Sequence, residues 1–143
     1  MHTAHVPRRG LVLFRTVFFL SAIYFFLMGM LLMLFPEVVT KNAGPQHPMV
    51  LGILRGTGGS ILGSTVFYIL IALKPIERRW AAVVVALANI LAIVLDFLSV
   101  HFGEYTINHA MIDVPVETVS FLTIVIFYRA NRRRTMDAPM MTA

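Results

Sequence analysis

Four long apolar stretches dominate the chain, and short segments between them collect most of its polar and charged residues. A membrane-spanning helix needs about 20 mostly apolar residues. The pattern therefore predicts spans over about residues 14–35, 49–73, 80–102 and 114–128. Three prolines lie at predicted helix ends. Pro36 ends the first stretch, Pro48 begins the second, and Pro115 falls in the first turn of the fourth, where proline is well tolerated.

The composition agrees with a membrane protein. Of the 143 residues, 58% are hydrophobic and only 13% are charged, against about 25% charged in ordinary soluble domains. We predict an all-α integral membrane protein: four transmembrane helices form one up-and-down bundle over residues 1–143, with a basic tail over 129–143. The chain has no cysteine, which excludes disulfides and cysteine-based metal sites.

Basic residues are distributed unevenly between the two ends of the predicted spans. Ten of the twelve precede or begin the first stretch, lie between the second and third, or follow the fourth: Arg8, Arg9, Arg15, Lys74, Arg78, Arg79, Arg129, Arg132, Arg133 and Arg134. By the positive-inside rule, both termini are expected in the cytoplasm. This topology accounts for the basic charge, so no nucleic-acid partner is expected.

A ridge of small residues runs along the second predicted helix. Small residues four apart lie on one helix face and let another helix approach closely. The ridge consists of Gly52, Gly56, Ser60 and Ser64, with Gly59 and Gly63 beside them. It predicts tight packing, most simply against another helix of the same chain; a homodimer or a partner subunit is the alternative.

Ionisable residues lie inside three of the four stretches at similar depth. Arg55, Asp96 and Glu117 are each within about 9 Å of the same predicted membrane face. Charged groups in hydrocarbon are costly unless they face the protein interior and find partners. We therefore predict a buried polar cluster of these three residues, with Asn89 on the helix face that carries Asp96. The cluster is either a structural ion pair that sets helix register or a site for a proton or ligand.

Signatures of catalysis and of cofactor binding are scarce. His47, His101 and His109 lie at span ends or in a loop, and no His-x-x-x-His pair occurs. Metal or haem ligation by them stays open, but no motif identifies a cofactor or a metal site. No nucleophile–base pair at a diagnostic spacing appears, so we expect no enzyme. The remaining catalytic alternative is a lipid- or quinone-directed enzyme that uses Glu117 and His101.

One run of sequence resembles a known family. Residues 54–63 read LRGTGGSILG, and a short basic turn and then Glu117 follow. The run resembles a family of small four-helix bacterial membrane proteins that is catalogued as a domain of unknown function, over about residues 14–128. The resemblance implies a four-helix bundle in a bacterial inner membrane and no known activity. Where the family has a basic residue late in the third helix, this chain has Asp96.

Two functions fit these observations. The first is an accessory or scaffolding subunit of a larger inner-membrane complex, respiratory or photosynthetic. The absence of a catalytic set favours it, and so does a first stretch rich in phenylalanine and methionine, expected to face lipid or a partner. The alternative is an autonomous proton-coupled small transporter or ligand-binding bundle that uses Arg55, Asp96 and Glu117. Expected partners are membrane lipids, protein subunits or further copies of the chain.

Overall fold

The structure, a computed structural model, describes residues 8–41, 47–104 and 106–136. These residues are almost entirely helical and contain no strand: α1 (Arg8–Leu34), α2 (Pro36–Val39), α3 (Pro48–Leu73), α4 (Arg79–His101) and α5 (Ile107–Met136). Four of the helices, all except α2, are long and apolar enough to cross a membrane. The predicted all-α class and the four candidate spans are thereby confirmed, as expected for a multi-pass membrane protein.

Helix bounds follow the predicted spans closely in α3 and α4, and the largest difference is in α5. This helix begins at Ile107 and not near residue 114, so that Pro115 lies inside it. The first turn is organised by Thr106, whose carbonyl accepts the His109 N–H and whose Oγ1 lies 3.0 Å from His109 Nδ1. No proline or glycine interrupts residues 107–114. Pro115 itself has no N–H, so the Met111 carbonyl loses its helical donor, a loss that membrane helices can accommodate.

Two further differences concern the ends of the chain. α1 begins at Arg8, ahead of the predicted start of its span at residue 14. α5 continues to Met136, so the first part of the predicted basic tail is helical. The rest of that tail, residues 137–143, lies outside the described residues.

The chain divides into two compact units, of which one is Phe18–Arg78. Here α1 and α3 run antiparallel and touch at two glycines: a Cβ built on Gly58 would lie 2.7 Å from the Gly29 carbonyl oxygen. Nearby, the ring of Tyr68 lies 5.5 Å from that of Phe18 and 5.0 Å from that of Phe25. Glycine without a Cβ allows this close approach, and the aromatic rings fill the wider part of the contact.

The other unit consists of the described residues within 1–17 and 79–143. α4 and α5 run antiparallel, because Arg79 lies over the ring of Tyr128 near one end while Asp96 interacts electrostatically with Glu117 toward the other. The start of α1 belongs to this unit: Phe14 is buried, with its ring 4.2 Å from that of Phe127.

The phenylalanines of α1 correct an expectation. Phe14 and Phe18 are almost completely buried, each in contact with aromatic rings of its own unit. The prediction that the aromatic side chains of the first helix face lipid or a partner is wrong for these two. In a membrane protein, lipid-facing and protein-facing surfaces are similarly apolar, so composition does not separate them.

Candidate carboxylate site between α4 and α5

Glu117 is the most deeply buried acid whose position the structure describes. It is 7% exposed, and its Oε2 atom accepts no hydrogen bond from the described residues. Ser120 is three residues further along α5 and fully buried, so Glu117 and Ser120 share the helix face that is turned inward. On the facing helix α4, Asn89 is also buried. Buried polar side chains therefore lie on both helices of an otherwise apolar pair.

Two further carboxyl groups act electrostatically on Glu117. They belong to Asp96 of α4 and Asp113 of α5, both half-buried, and these two also interact with each other. The spacing explains the grouping, because Asp113 and Glu117 are four residues apart and Asn89 and Asp96 are seven apart. Each helix thus presents its polar residues on one face. Neither Asp96 nor Glu117 forms a salt bridge with a described residue.

Asp113 is a member of this group that the sequence interpretation missed. The predicted start of the fourth span near residue 114 placed it in a loop, whereas in the structure it lies in the second turn of α5. Asp113 could have been found from its four-residue spacing to Glu117, because this spacing places the two residues on one face of a helix that starts before Pro115.

Arg55 has a partner that the predicted cluster did not include. Its Nη2 atom donates to Glu37 Oε1 at 2.8 Å, and the two side chains are 49% and 56% exposed. Glu37 lies in the short helix α2, directly after the end of α1, and Arg55 lies in the second turn of α3. The two residues therefore reach the same end of their unit. A joint site of Arg55 with Asp96 and Glu117 stays a prediction.

Among the described residues, the glycines of the predicted ridge on α3 have no close packing contact. A Cβ on Gly52, Gly56, Gly59 or Gly63 would meet no atom within 4 Å. The hydroxyl groups of Ser60 and Ser64 donate to backbone carbonyls one turn earlier in α3, those of Gly56 and Ser60.

The close contact is made instead by Gly58, whose added Cβ would lie 2.6 Å from the backbone nitrogen of Met33. The residues four positions before and after Gly58 are Leu54 and Leu62, and neither of them is small. The spacing rule therefore passed over it, and tight packing by the ridge stays a prediction.

His47 and His109 have local structural roles. His47 precedes α3, and its Nδ1 accepts the backbone N–H of Met49 at 3.2 Å, which satisfies one of the free donors at the start of the helix. His109 lies beside Thr106 in the first turn of α5. The described part of the chain contains no group of three or more His, Cys, Asp or Glu residues able to hold a metal ion.

Comparison with known proteins adds no relative. No family model matches the chain, and no curated protein or solved structure shows significant similarity to it.

Proposed function

We propose that the chain works as an autonomous proton-coupled small transporter or ligand-binding helix bundle, in which Glu117 takes up and releases a proton within the membrane. The observation that carries this proposal is a buried carboxyl group that interacts electrostatically with two further carboxyl groups and has one oxygen that accepts no hydrogen bond from the described residues. Several negative charges in an apolar surrounding are costly, and uptake of a proton relieves that cost. Intramembrane acids without a basic partner serve such roles in pumps and transporters.

The positions of the acids suggest a direction for proton movement. Asp113 precedes Glu117 by four residues, about 6 Å along α5, and lies nearer to the turn that joins α4 to α5. Asp96 is likewise near that end of α4. Protons would enter from this end, pass the half-buried aspartates and reach Glu117.

The proposal includes a topology. Both termini and the Lys74–Arg79 turn lie in the cytoplasm, in keeping with the basic residues around them. The turn between α4 and α5 then faces the outer side of a bacterial inner membrane, and the bundle is up-and-down. The activity is transport or binding and not catalysis, with no nucleic-acid partner.

Proton flux into liposomes tests the proposal directly. The full chain is reconstituted with a pH-sensitive dye inside, and a pH gradient is imposed with and without a membrane potential. Glu117→Gln is expected to reduce dye acidification to that of empty liposomes, and Asp96→Asn to slow it. The matched control is Glu77→Gln, the same chemical change at an exposed residue paired with Lys74. Wild-type flux equal to that of Glu117→Gln overturns the proposal.

A second function is favoured by the surface of α3. Small residues Gly52, Gly56 and Ser60 are exposed there, and the half-exposed pair of Arg55 and Glu37 lies nearby. Polar groups and a small-residue surface are poorly matched to lipid and well matched to another helix. This favours an accessory or scaffolding role in a larger inner-membrane complex, respiratory or photosynthetic, or a homo-oligomer.

Cross-linking in native membranes separates these arrangements. Because the chain has no cysteine, Gly56→Cys can carry a single maleimide–benzophenone label on α3, and Val66→Cys on an exposed apolar position of the same helix is the control. An adduct with a different protein at Gly56 but not at Val66 supports the subunit role, and an adduct with a second copy supports a homo-oligomer. If neither position yields an intermolecular adduct, the subunit role is rejected.

A further inference from the structure

A groove lies between α4 and α5 at the end opposite the carboxyl groups. Its volume is about 300 Å³, and its surface is mostly apolar. The lining residues are Arg79, Val83, Ala86, Leu87, Ile90, Phe121, Ile124, Val125, Tyr128 and Arg129. None of them is acidic, and the two arginines are both near the end of the helix pair where α4 begins.

The length of the groove along the helix axis is similar to the thickness of one membrane leaflet. On α4 the lining runs from Arg79 to Ile90, which is eleven residues or about 16 Å along the helix axis. Half of a hydrocarbon core of about 30 Å is close to that length. Val83, Leu87 and Ile90 follow one another at spacings of four and three, so they form one continuous apolar stripe. An extended hydrocarbon chain fits such a stripe.

The basic end of the groove is organised for an anion. The guanidinium carbon of Arg79 lies 5.7 Å from the ring centre of Tyr128, a cation–π arrangement that helps to orient the side chain. Arg129 follows Tyr128 in sequence and lines the same groove. Both arginines are exposed, and a guanidinium group binds phosphate oxygens through its N–H groups more specifically than a lysine does.

We infer that this groove binds an anionic phospholipid of the surrounding leaflet. One acyl chain lies along the stripe of Val83, Leu87 and Ile90, and the phosphate group contacts Arg79 and Arg129. A neutral apolar ligand would leave the two positive charges unmatched, and a free phosphate ion would leave the apolar groove unfilled. An anionic lipid satisfies both parts of the site. This site is separate from the carboxylate site, and the inference does not depend on proton binding.

Trp80 makes the inference measurable. It is the only tryptophan of the chain, it is 58% exposed, and it follows Arg79 directly. Lipids with brominated acyl chains quench tryptophan fluorescence on contact, so competition between brominated phosphatidylglycerol and ordinary phosphatidylcholine reports which lipid occupies the site. We expect a preference for the anionic lipid of about five-fold for each arginine that contacts it. Equal quenching by brominated phosphatidylglycerol and brominated phosphatidylcholine overturns the inference.

Paired variants separate the groove from the general charge of the membrane surface. Arg79→Gln with Arg129→Gln is expected to abolish the preference, whereas Arg9→Gln with Arg15→Gln removes the same charge from α1 and is expected to retain it. Replacing both groove arginines by lysine should preserve part of the preference. An equal loss in the two glutamine pairs would show that only overall charge matters, which rejects a defined site.

The apolar part of the groove and the nature of the anion are tested separately. Ala86→Phe fills the groove and is expected to reduce quenching by the anionic lipid, while Val84→Phe, at an exposed position outside the lining, should have no effect. Inorganic phosphate at high concentration should not displace the brominated lipid from wild-type protein. Displacement by phosphate, or quenching unaffected by Ala86→Phe, overturns the assignment of a lipid.

Discussion

The two helix pairs of this chain are held together in opposite ways. α1 and α3 meet at Gly29 and Gly58, where the absence of side chains lets the backbones touch. α4 and α5 meet through side chains, and their contact includes a buried acid, Glu117, and a buried amide, Asn89. Both solutions suit a membrane, where association depends on van der Waals packing and on polar groups because apolar surface alone does not drive it.

The two helix contacts also differ in their titratable groups. The glycine contact contains no titratable side chain, and the one internal arginine of α3 lies outside it in a half-exposed ion pair. The α4–α5 contact contains three interacting carboxyl groups at one end and the arginine-capped groove at the other. Substitutions in the first pair should therefore change stability, whereas several in the second should change binding without unfolding the protein.

The largest effect is expected from filling the glycine contact. In Gly58→Leu, the Cβ alone would lie 2.6 Å from the backbone nitrogen of Met33, so the leucine side chain would clash with the backbone of α1. Backbone cannot move aside as a flexible side chain can, so we expect a loss of about 3 kcal/mol in unfolding free energy. Unfolding by titration with a denaturing detergent measures it.

Gly59→Leu is the matched control, because an added Cβ there meets nothing within 4 Å. It should change the unfolding free energy by less than about 0.5 kcal/mol. A similar loss in both variants would mean that the contact of α1 with α3 does not carry the stability of this unit.

A smaller loss is expected where packing depends on a side chain. Phe14→Ala removes a buried ring that lies 4.2 Å from the ring of Phe127 and 6.2 Å from that of Tyr128. We expect a loss of about 2 kcal/mol, less than in a soluble core, because lipid and protein interior solvate the ring similarly and mainly contact energy is lost. The exposed neighbour Leu13→Ala should be close to neutral in the same titration.

The smallest effect concerns the ion pair of Arg55 and Glu37. Both side chains are about half exposed, so the coupling energy from a double-mutant cycle with Arg55→Gln and Glu37→Gln should be below about 1 kcal/mol. If Arg55→Gln costs much more than Glu37→Gln, the arginine has a further partner. Adding Asp96→Asn to the cycle then tests the predicted cluster: a coupling of Arg55 with Asp96 supports it, and additive effects reject it.

Much of the helical framework could be predicted from hydropathy and proline positions. Each of α1, α3 and α4 coincides with an apolar stretch, and Pro36 and Pro48 stand where one helix ends and the next begins. The burial of Asn89 and Glu117 also follows from the cost of polar groups in a membrane. The start of α5 could not be predicted in this way, because Pro115 is allowed both in a first turn and inside a membrane helix.

Local apolar length and helix-breaking residues were enough to predict the number of candidate membrane-spanning helices and the approximate ends of α3 and α4. Only the folded chain shows that Gly58 makes the close contact with α1, that Arg55 pairs with Glu37, and that Asp113 interacts electrostatically with Glu117. Periodicity shows which residues share a helix face but not what that face meets. Inside a membrane both lipid and protein are apolar, so hydropathy does not distinguish the two neighbours.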